Sequence, residues 1–251
     1  MKKGVYGLFK LLNISYKKNM NRIGIVIAMD EEREKIQECM ENVTNENVLG
    51  MDFYIGKISD KKCIIVQSGV GKVNAARATQ AMIDNYKVDK IINVGAAAAV
   101  NDLLNIGDVV IGKYIVQHDF DITAFGHSKG YITGVGNGVE CNNAIIESIK
   151  KAVNSIRDID FKVKLGTVAT GDIFCTDVAM KDKISAKFDA DVVDMECGAV
   201  AQVAYLSGIP FGAIRGVSDT PNGKNAEDFD KNLDKAADIC KKVLEKTIDN
   251  L

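Results

Sequence analysis

The feature that most constrains this sequence of 251 residues is the alternation of short runs rich in β-branched residues with longer amphipathic runs. Near-continuous apolar runs are typical of strands buried on both faces of a parallel sheet, and amphipathic runs between them are typical of the connecting helices. Strands are predicted at 23–29, 63–69, 90–96, 108–117, 164–171, 190–195 and 211–218. Helices are predicted at 30–42, 71–86, 142–156, 178–188, 197–208 and 226–251. The pattern predicts an α/β fold whose mostly parallel central sheet is covered by helices on both faces.

The alternation of strand and helix patterns continues without a break, which indicates the domain organisation. No linker, low-complexity tract or internal repeat divides residues 21–251, so we expect a single domain there. The preceding segment, MKKGVYGLFKLLNISYKKNM, has neither a long apolar stretch nor a small-residue cleavage site, which argues against a signal peptide. Because a strand pattern begins directly after it, we hypothesise that Met20 is the natural start and that residues 1–20 are an N-terminal extension.

Composition limits the partners of the protein. Lysine and arginine together number 32 against 34 aspartates and glutamates, so the net charge is too small to favour nucleic acid or an anionic membrane. The expected partner is a small molecule. No apolar run approaches the roughly 18 to 20 residues of a membrane span. The six cysteines are far apart and form no CxxC pair, so we expect no metal site and no disulfide framework, and a cytoplasmic location fits best.

Acidic residues follow three of the predicted strands, in AMDEE, MEC and VSD. Ligands of parallel sheets bind at the carboxyl ends of strands, so Glu32, Glu196 and Asp219 are candidate functional residues. Acids in the first turn of a helix also cap N–H groups and complement the helix dipole, which contributes about 0.3 to 1 kcal/mol. Capping is sufficient to explain Asp30 and Asp194. Capping does not explain Glu196, because this acid interrupts a run of small apolar residues, where a carboxylate is costly without a polar partner.

Two segments are candidates for a nucleotide-cofactor site. SGVGKV, residues 68–73, has neither the P-loop spacing nor the G-x-G-x-x-G pattern, and a turn that opens the next helix explains it equally well. The first strand segment, IGIVIAMDEE, lacks these glycines, and its acids would repel a pyrophosphate. A dinucleotide cofactor and hydride transfer are therefore not expected.

Seven segments resemble, in order, those of the bacterial 5′-methylthioadenosine/S-adenosylhomocysteine nucleosidases of the nucleoside phosphorylase superfamily. They are IGIVIAMDEE, SGVGKVNAA, INVGAAAAV, IGDVVIGKYIVQHDFDITAFG, TGDIF, VVDMECGAVAQVA and PFGAIRGVSD. The likeness extends from about Met20 to the end of the chain. Each motif is weak by itself, whereas DME, RGVSD and HDFDITAFG together and in this order are specific.

The resemblance implies an enzyme that hydrolyses the N-glycosidic bond of 5′-methylthioadenosine and S-adenosylhomocysteine, releasing adenine without a metal or other cofactor. By this likeness Asp219 is the general acid that protonates N7 of the departing adenine, and Ser218 helps to orient it. Glu196 holds the ribose hydroxyls and stabilises the oxocarbenium-like ribose by its charge. Glu32 is the general base for the attacking water, which Arg215 helps to hold.

The resemblance also implies the residues that surround the substrate. Met195 and Phe174 lie against the ribose and the purine, to which soft and flat surfaces are suited. Backbone groups near Phe174 and Cys175 bind the adenine edge. An apolar pocket for the 5′-alkylthio group implies a homodimer, because its lining comes from two subunits: Met29 and Phe229 of one, with Ile122 and Phe125 of its neighbour. Plain core packing is the alternative explanation for these apolar residues.

Two other functions stay open. A phosphorylase of the same superfamily needs cationic or hydroxyl ligands for phosphate, but Asn93 and Ala96 replace the arginine and serine of related phosphorylases, and Glu32 would repel the anion. A catalytically weak nucleoside-binding protein is the second alternative. The segment GAAAAV departs from the family pattern, which has a glycine at the position of Ala98 and often a hydroxyl residue at the position of Ala96. A Cβ at Ala98 would crowd the nucleoside, because glycine at this position allows close approach of the backbone to a ligand.

Substrate preference depends on the 5′ end of the nucleoside. 5′-Methylthioadenosine, S-adenosylhomocysteine, 5′-deoxyadenosine and aminofutalosine share an adenine and a ribose and differ only there. The size of the pocket at this end would decide among them.

Overall fold

A computed structural model describes residues 21–157, 160–221 and 226–251. The extension predicted at residues 1–20 lies outside the described residues. The strands are β1 Arg22–Ile27, β2 Glu41–Val48, β3 Met51–Ile58, β4 Lys61–Gln67, β5 Lys90–Ala99, β6 Val109–Gln117, β7 Val139–Glu140, β8 Val163–Thr170, β9 Val192–Asp194 and β10 Phe211–Asp219. The helices are α1 Asp30–Gln37, α2 Lys72–Tyr86, α3 Asn143–Ser155, α4 Val178–Phe188, α5 Cys197–Leu206 and α6 Ala226–Asp249.

The described strands form one sheet that is parallel in its central part. The pairs β4–β1, β1–β5, β5–β10, β6–β8 and β8–β9 are parallel. Antiparallel pairs join β10 to β6 and β5 to β9, so that β5, β10, β6, β8 and β9 form a closed ring. From β5 the sheet continues as an open extension through β1, β4, β3 and β2. The central parallel pairs agree with the predicted mostly parallel sheet. The antiparallel pairs β10–β6 and β5–β9 were not predicted, because apolar runs do not show which strands pair.

Helices cover both faces of the sheet. Helix α6 packs on β10 and β5 and contacts α1 and α3, whereas α2 packs against α5 and contacts β1 and β4. All nine residues of β10 are buried, as are all of β1 except its first residue. Strands buried along their whole length need cover on both sides, so the predicted α/β class is confirmed.

The first predicted helix is the main error in the predicted boundaries. It was expected to reach residue 42 but ends at Gln37, and a hairpin of β2 and β3 follows. The two-residue turn of this hairpin, Leu49–Gly50, has positive φ at both positions, as hairpin turns of this length require. Strand β2, ENVTNENV, is polar and almost wholly exposed at the sheet edge, so it has no alternating pattern that sequence reasoning could detect. Within the described part of the chain, no helix has the length and apolar character needed to cross a membrane.

Candidate active site

A cavity lies where the carboxyl ends of β1, β5, β9 and β10 meet. Its empty volume, including the part that opens to solvent, is about 780 Å³, which lies within the range of small-molecule sites. Its lining consists of Ala28, Met29, Glu32, Val70, Asn93, Gly95, Ala96, Ala97, Ala98, Ile173, Phe174, Cys175, Val193, Asp194, Met195, Glu196, Arg215, Asp219 and Phe229. All three predicted catalytic acids are in this set.

Glu32 enters the cavity from the first turn of α1 and is buried. Its Oε1 accepts a hydrogen bond from the Ala96 N–H at 2.7 Å, and its Oε2 accepts one from the Met29 N–H at 3.2 Å. Burial raises the pKa of Glu32 above its usual value, although the Ala96 N–H and the charge of Arg215 oppose the rise. A raised pKa brings a carboxylate nearer to the range in which a general base is effective at neutral pH.

Gly95 allows the base and the arginine to approach each other. A Cβ at this position would lie 2.8 Å from Arg215 Nη1 and 2.8 Å from Glu32 Oε1. Glycine is therefore needed here for close approach rather than for an unusual backbone angle.

Arg215 is a buried cation among the acids. Its Nη2 donates to Asp194 Oδ2 at 2.5 Å and also to Asn93 Oδ1. Burial by itself would lower the pKa of Arg215, but the charges of Asp194 and the other neighbouring acids outweigh burial and raise it. The guanidinium is therefore charged. Its Nε has no hydrogen-bond partner among the described residues.

Asp194 does more than the capping expected of it. Its Oδ2 does cap α5, accepting from the Cys197 N–H at 2.8 Å, and its Oδ1 accepts from the Thr170 hydroxyl at 2.5 Å. The ion pair with Arg215 is the additional role. Sequence reasoning missed it because β9 and β10 come together only through the closed ring of strands.

Glu196 lies at the start of α5 and is buried. Its Oε1 accepts from the Gly71 N–H at 2.8 Å. Burial and the charge of Asp194 raise the pKa of Glu196 to about 7, against the opposing effects of the Gly71 N–H and Arg215. Gly71 has φ of 101°, which a residue with a side chain rarely adopts. The glycine segment at 68–73 therefore opens α2, as expected, and also holds Glu196.

Asp219 ends β10 next to a β-bulge. Strand β10 pairs Val217 with Ala97 and Asp219 with Ala98, so Ser218 is the extra residue of the bulge. Such a bulge redirects the side chains that follow it. The Ser218 hydroxyl donates to Asp219 Oδ1 at 3.0 Å. Ser218 is fully buried and is absent from the cavity lining. Its hydroxyl also lies 3.3 Å from the carbonyl oxygen of Ala97, so it contacts two lining residues, Asp219 and Ala97.

Asp219 also has a partner that sequence reasoning missed. The Lys181 ammonium, from α4, lies 3.0 Å from Asp219 Oδ2. Both side chains are almost inaccessible to solvent, at 0% and 1% exposed. In the sequence Lys181 is one of several lysines in VAMKDKISAKF, and no signal distinguishes it from its exposed neighbours.

The remaining predicted lining residues form the apolar walls. The rings of Phe174 and Phe229 meet edge to face with centroids 5.6 Å apart. Cys175 is buried, and burial raises the pKa of its thiol, so the thiol is protonated at neutral pH. Met29, Met195 and Ala96 are the other predicted residues that line the cavity.

Two predicted residues lie away from the cavity of their own chain. Ile122 precedes a short 3-10 turn, Thr123–Phe125, and neither it nor Phe125 is part of the lining. The Phe125 side chain is 81% exposed. Their contribution to the site of a neighbouring subunit, which the family resemblance implies, stays a prediction.

The described residues contain no cluster of three or more histidine, cysteine, aspartate or glutamate side chains that could hold a metal ion. The polar groups of the cavity lining are carboxyl groups, the Arg215 guanidinium, the Asn93 amide, the Cys175 thiol and backbone N–H groups. Such a set can protonate a leaving group, stabilise a cation and activate water.

Comparison with known proteins shows the class to which this fold and site belong. The family model described as the Phosphorylase superfamily matches residues 22–249. This match covers most of the chain, and the protein belongs to that superfamily.

Comparison with individual proteins narrows the similarity to particular enzymes of the superfamily. The chain is 36% identical over 230 residues to the 5′-methylthioadenosine/S-adenosylhomocysteine nucleosidase of Staphylococcus aureus (strain JH9), covering 91% of this chain and 100% of the relative. The structure is similar to that of the Neisseria meningitidis 5′-methylthioadenosine/S-adenosylhomocysteine nucleosidase in complex with methylthio-immucillin-A. The TM-score is 0.89 at 32% identity, and 92% of this chain and 100% of that chain are covered. The futalosine hydrolase of Helicobacter pylori strain 26695 is also similar, with a TM-score of 0.87 at 30% identity and coverage of 92% and 99%. The resemblance seen in the sequence is thereby confirmed.

Proposed function

We propose that the protein is a nucleosidase that hydrolyses the N-glycosidic bond of 5′-methylthioadenosine and S-adenosylhomocysteine and releases adenine and a 5′-thio-ribose. One observation carries the proposal: Glu32, Glu196 and Asp219, from three distant segments, line one cavity together with Arg215. The nucleosidases of Staphylococcus aureus and Neisseria meningitidis, to which the chain is similar over nearly its whole described length, support the choice of substrates.

Asp219 acts as the general acid in the proposed mechanism. It gives a proton to N7 of adenine while the bond between C1′ and N9 breaks and its electron pair passes to the purine. The Ser218 hydroxyl fixes the orientation of this carboxyl group, because it holds Oδ1. Proton transfer by a positioned side chain contributes typically about 10² to 10⁴-fold to a rate.

Glu196 stabilises the ribose as it becomes oxocarbenium-like. Its Oε1 is fixed by the Gly71 N–H, so the carboxylate is held in place before the cation forms. The ribose hydroxyls are the proposed partners of the second oxygen. Met195 adjoins this acid and provides a polarisable apolar surface for the sugar.

Glu32 removes a proton from the water that attacks C1′. The raised pKa of this buried acid supports the role. Arg215 lies beside it and has an unpartnered Nε donor among the described residues, which supports a role in holding the water. The water gives its proton to Glu32, and the water oxygen forms the new bond to C1′.

The apolar walls bind the rest of the substrate. We assign the purine to the side formed by Phe174 and backbone groups near Cys175, and the 5′-alkylthio group to the side formed by Met29 and Phe229. The edge-to-face contact of Phe174 with Phe229 joins the two sides. A second subunit completes the 5′ pocket with Ile122 and Phe125.

A homodimer is therefore part of the proposal. The support is the position of Phe125, whose large apolar side chain is mostly exposed and lies outside its own cavity. Sedimentation of the protein should give a dimer. In Phe125→Ala, KM for 5′-methylthioadenosine should rise more than kcat falls, since only binding of the 5′ group loses a contact. A monomer with full activity would contradict this part of the proposal.

A phosphorylase is disfavoured because the side of the cavity where the nucleophile would bind has no free cation for phosphate among its described residues. Asn93 is already engaged, because its Nδ2 donates to the Val26 carbonyl at 2.9 Å and its Oδ1 accepts from Arg215. Among the described lining residues Arg215 is the single cation, and its charge is matched by Asp194. A phosphate dianion would face Glu32 without a free cation to bind it.

The site also bears on the alternative of a catalytically weak binding protein. Ala98 is one of the residues that line the cavity. The three acids are nonetheless all in place around the same cavity. If crowding by Ala98 matters, Ala98→Gly should raise kcat/KM, whereas an unchanged kcat/KM would show that the Cβ does not obstruct the nucleoside.

We also propose a cytoplasmic location. All six cysteines are free thiols, and five of them are buried. Disulfide-free cysteines are typical of a reducing compartment.

The test is adenine release from 5′-methylthioadenosine, followed by chromatography in buffers with and without phosphate. Adenine and free methylthioribose should appear at the same rate in both. Release that requires phosphate would indicate a phosphorylase, and no release would indicate a binding protein. S-Adenosylhomocysteine, 5′-deoxyadenosine and aminofutalosine assayed in parallel would rank the 5′ groups.

Matched variants connect the activity to this cavity. Glu32→Gln and Asp219→Asn keep the size of each side chain and remove the acid, so each should lose most of kcat while remaining folded. Glu31→Gln is the control, because Glu31 is the neighbouring acid of α1 and is exposed. A Glu32→Gln variant with near-normal kcat would refute the assignment of the base.

A further inference from the structure

Lys181 is a buried lysine that the proposed mechanism has not yet used. It lies in the first half of α4 and shares the buried side of this helix with Ile184, three residues further on. A charged side chain in such a position is costly unless it is paired. Its Nζ donates to Asp219 Oδ2 at 3.0 Å and to the Thr220 carbonyl oxygen at 3.3 Å.

We propose that Lys181 is a positioning residue for the general acid, and that its ammonium stabilises the carboxylate left on Asp219 after the proton has passed to adenine. This inference rests on the proposed nucleosidase function. Asp219 lies between two donors, with Ser218 on Oδ1 and Lys181 on Oδ2. The carboxyl group is therefore held in one orientation by contacts on both oxygens.

The negative charge that develops on Asp219 during the reaction is stabilised by the nearby Lys181 ammonium. The structure pairs Asp219 with Lys181 in a buried salt bridge. The proposed mechanism requires Asp219 to take up a proton before it can act as an acid, and a neutral carboxyl group then lies beside the ammonium. During transfer the proton moves from Asp219 to N7, the pair of electrons of the C1′–N9 bond moves to the purine, and a negative charge appears on Asp219. That charge forms 3.0 Å from the ammonium in a site shielded from water. The attraction is greater in the transition state than in the protonated complex that precedes it, which is the condition for an effect on the proton-transfer step.

A purely structural role for Lys181 is the competing explanation. The contact with Asp219 also joins α4 to the end of β10, and its loss could disturb the site in general. The two roles differ in one respect: a charge partner of the acid matters only when the leaving group needs a proton, whereas a distorted site affects every substrate.

The experiment compares two leaving groups in Lys181→Met. The substitution keeps an unbranched side chain and removes the charge. On 5′-methylthioadenosine, kcat should fall by about 10 to 100-fold, a part of what a general acid contributes, and KM should change little. On 4-nitrophenyl 5-methylthioriboside, whose nitrophenolate leaves without a proton, kcat should fall less than about threefold. Asp219→Asn should show the same contrast, and Lys183→Met, at an exposed lysine of the same helix, should leave both rates unchanged.

A double-mutant cycle gives a second readout on 5′-methylthioadenosine alone. If Lys181 acts through Asp219, Asp219→Asn combined with Lys181→Met should be no slower than Asp219→Asn by itself. If Lys181→Met does not fold, Lys181→Arg and Lys181→Gln replace it; the charged variant should retain more of kcat on the nucleoside, while both should act alike on the nitrophenyl substrate.

Three results would overturn the inference: an unchanged kcat on the nucleoside, an equal loss on both substrates, or full additivity with Asp219→Asn. In each case the unaltered protein still releases adenine, so the proposed function survives. An unaltered protein that releases no adenine would overturn the proposed function and this inference together.

Discussion

Replacing Glu196 by glutamine should change how the stability of the protein depends on pH. The pKa of Glu196 is raised from its usual 4.5 to about 7, first by burial and then by the charge of Asp194. Between these two values the folded protein holds a proton that the unfolded chain has released. Its free energy of unfolding therefore decreases as pH rises through this window. The shift corresponds to about 3 kcal/mol, most of which is lost between pH 5 and pH 8.

The assay is urea unfolding of the two proteins at several pH values from 5 to 8. At pH 5 a glutamine resembles the protonated glutamic acid, so the two proteins should have similar stability. At pH 8 the Glu196→Gln variant should be more stable by about 3 kcal/mol, because it contains no buried carboxylate to ionise. Groups that do not interact with Glu196 titrate alike in both proteins and cancel in the difference.

The control is again Glu31→Gln, an exposed position. The difference between this variant and the unaltered protein should stay constant, within about 0.5 kcal/mol, across the pH range, as is usual for surface substitutions. Parallel curves for Glu196→Gln and the unaltered protein would refute the reasoning, since they would mean that burial of Glu196 has no energetic consequence. The same variant should have little activity, which would separate its stability from its catalytic role.

Other substitutions test the remaining contacts. Gly95→Ala should lower kcat by about tenfold or more, because its Cβ would lie 2.8 Å from both Glu32 Oε1 and Arg215 Nη1; a steady-state assay with normal kcat would show that the pair can move apart freely. Ser218→Ala should lower kcat by about tenfold, the equivalent of one hydrogen bond of about 1.4 kcal/mol, with KM unchanged. A larger change in KM than in kcat would place the role of Ser218 in binding instead.

Much of the fold was predictable because buried strands and amphipathic helices leave strong patterns. The run RIGIVI and the run FGAIRGVSD are buried along most of their length, and both were predicted as strands. Strand β2 was not, because an exposed polar edge strand is determined by its partner β3 rather than by its own residues. Closure of the ring through β9, a strand of three residues, likewise depends on pairings between distant segments.

The site divides in a similar way. Glu32, Glu196 and Asp219 could be found because acids at the ends of predicted strands are unusual enough to examine. Lys181 could not, because its burial is decided by how α4 packs beside the end of β10. For Asp194, the capping role was predictable from its place before a helix, but the ion pair with Arg215 depends on two strands that are separated in the sequence.

The balance of charge in the cavity connects these observations. Arg215 is the single cation of the described lining, and around it lie three carboxyl groups, those of Glu32, Asp194 and Glu196. One cation does not compensate three anions in a buried site. Burial raises the pKa values of Glu32 and Glu196, and the charges of Asp194 and Glu32 add to the rise at Glu196. A substrate that develops positive charge on its ribose relieves this imbalance at the moment of reaction, whereas a phosphate dianion would increase it. An excess of buried carboxyl groups over cations therefore favours an oxocarbenium-like transition state over an anionic nucleophile.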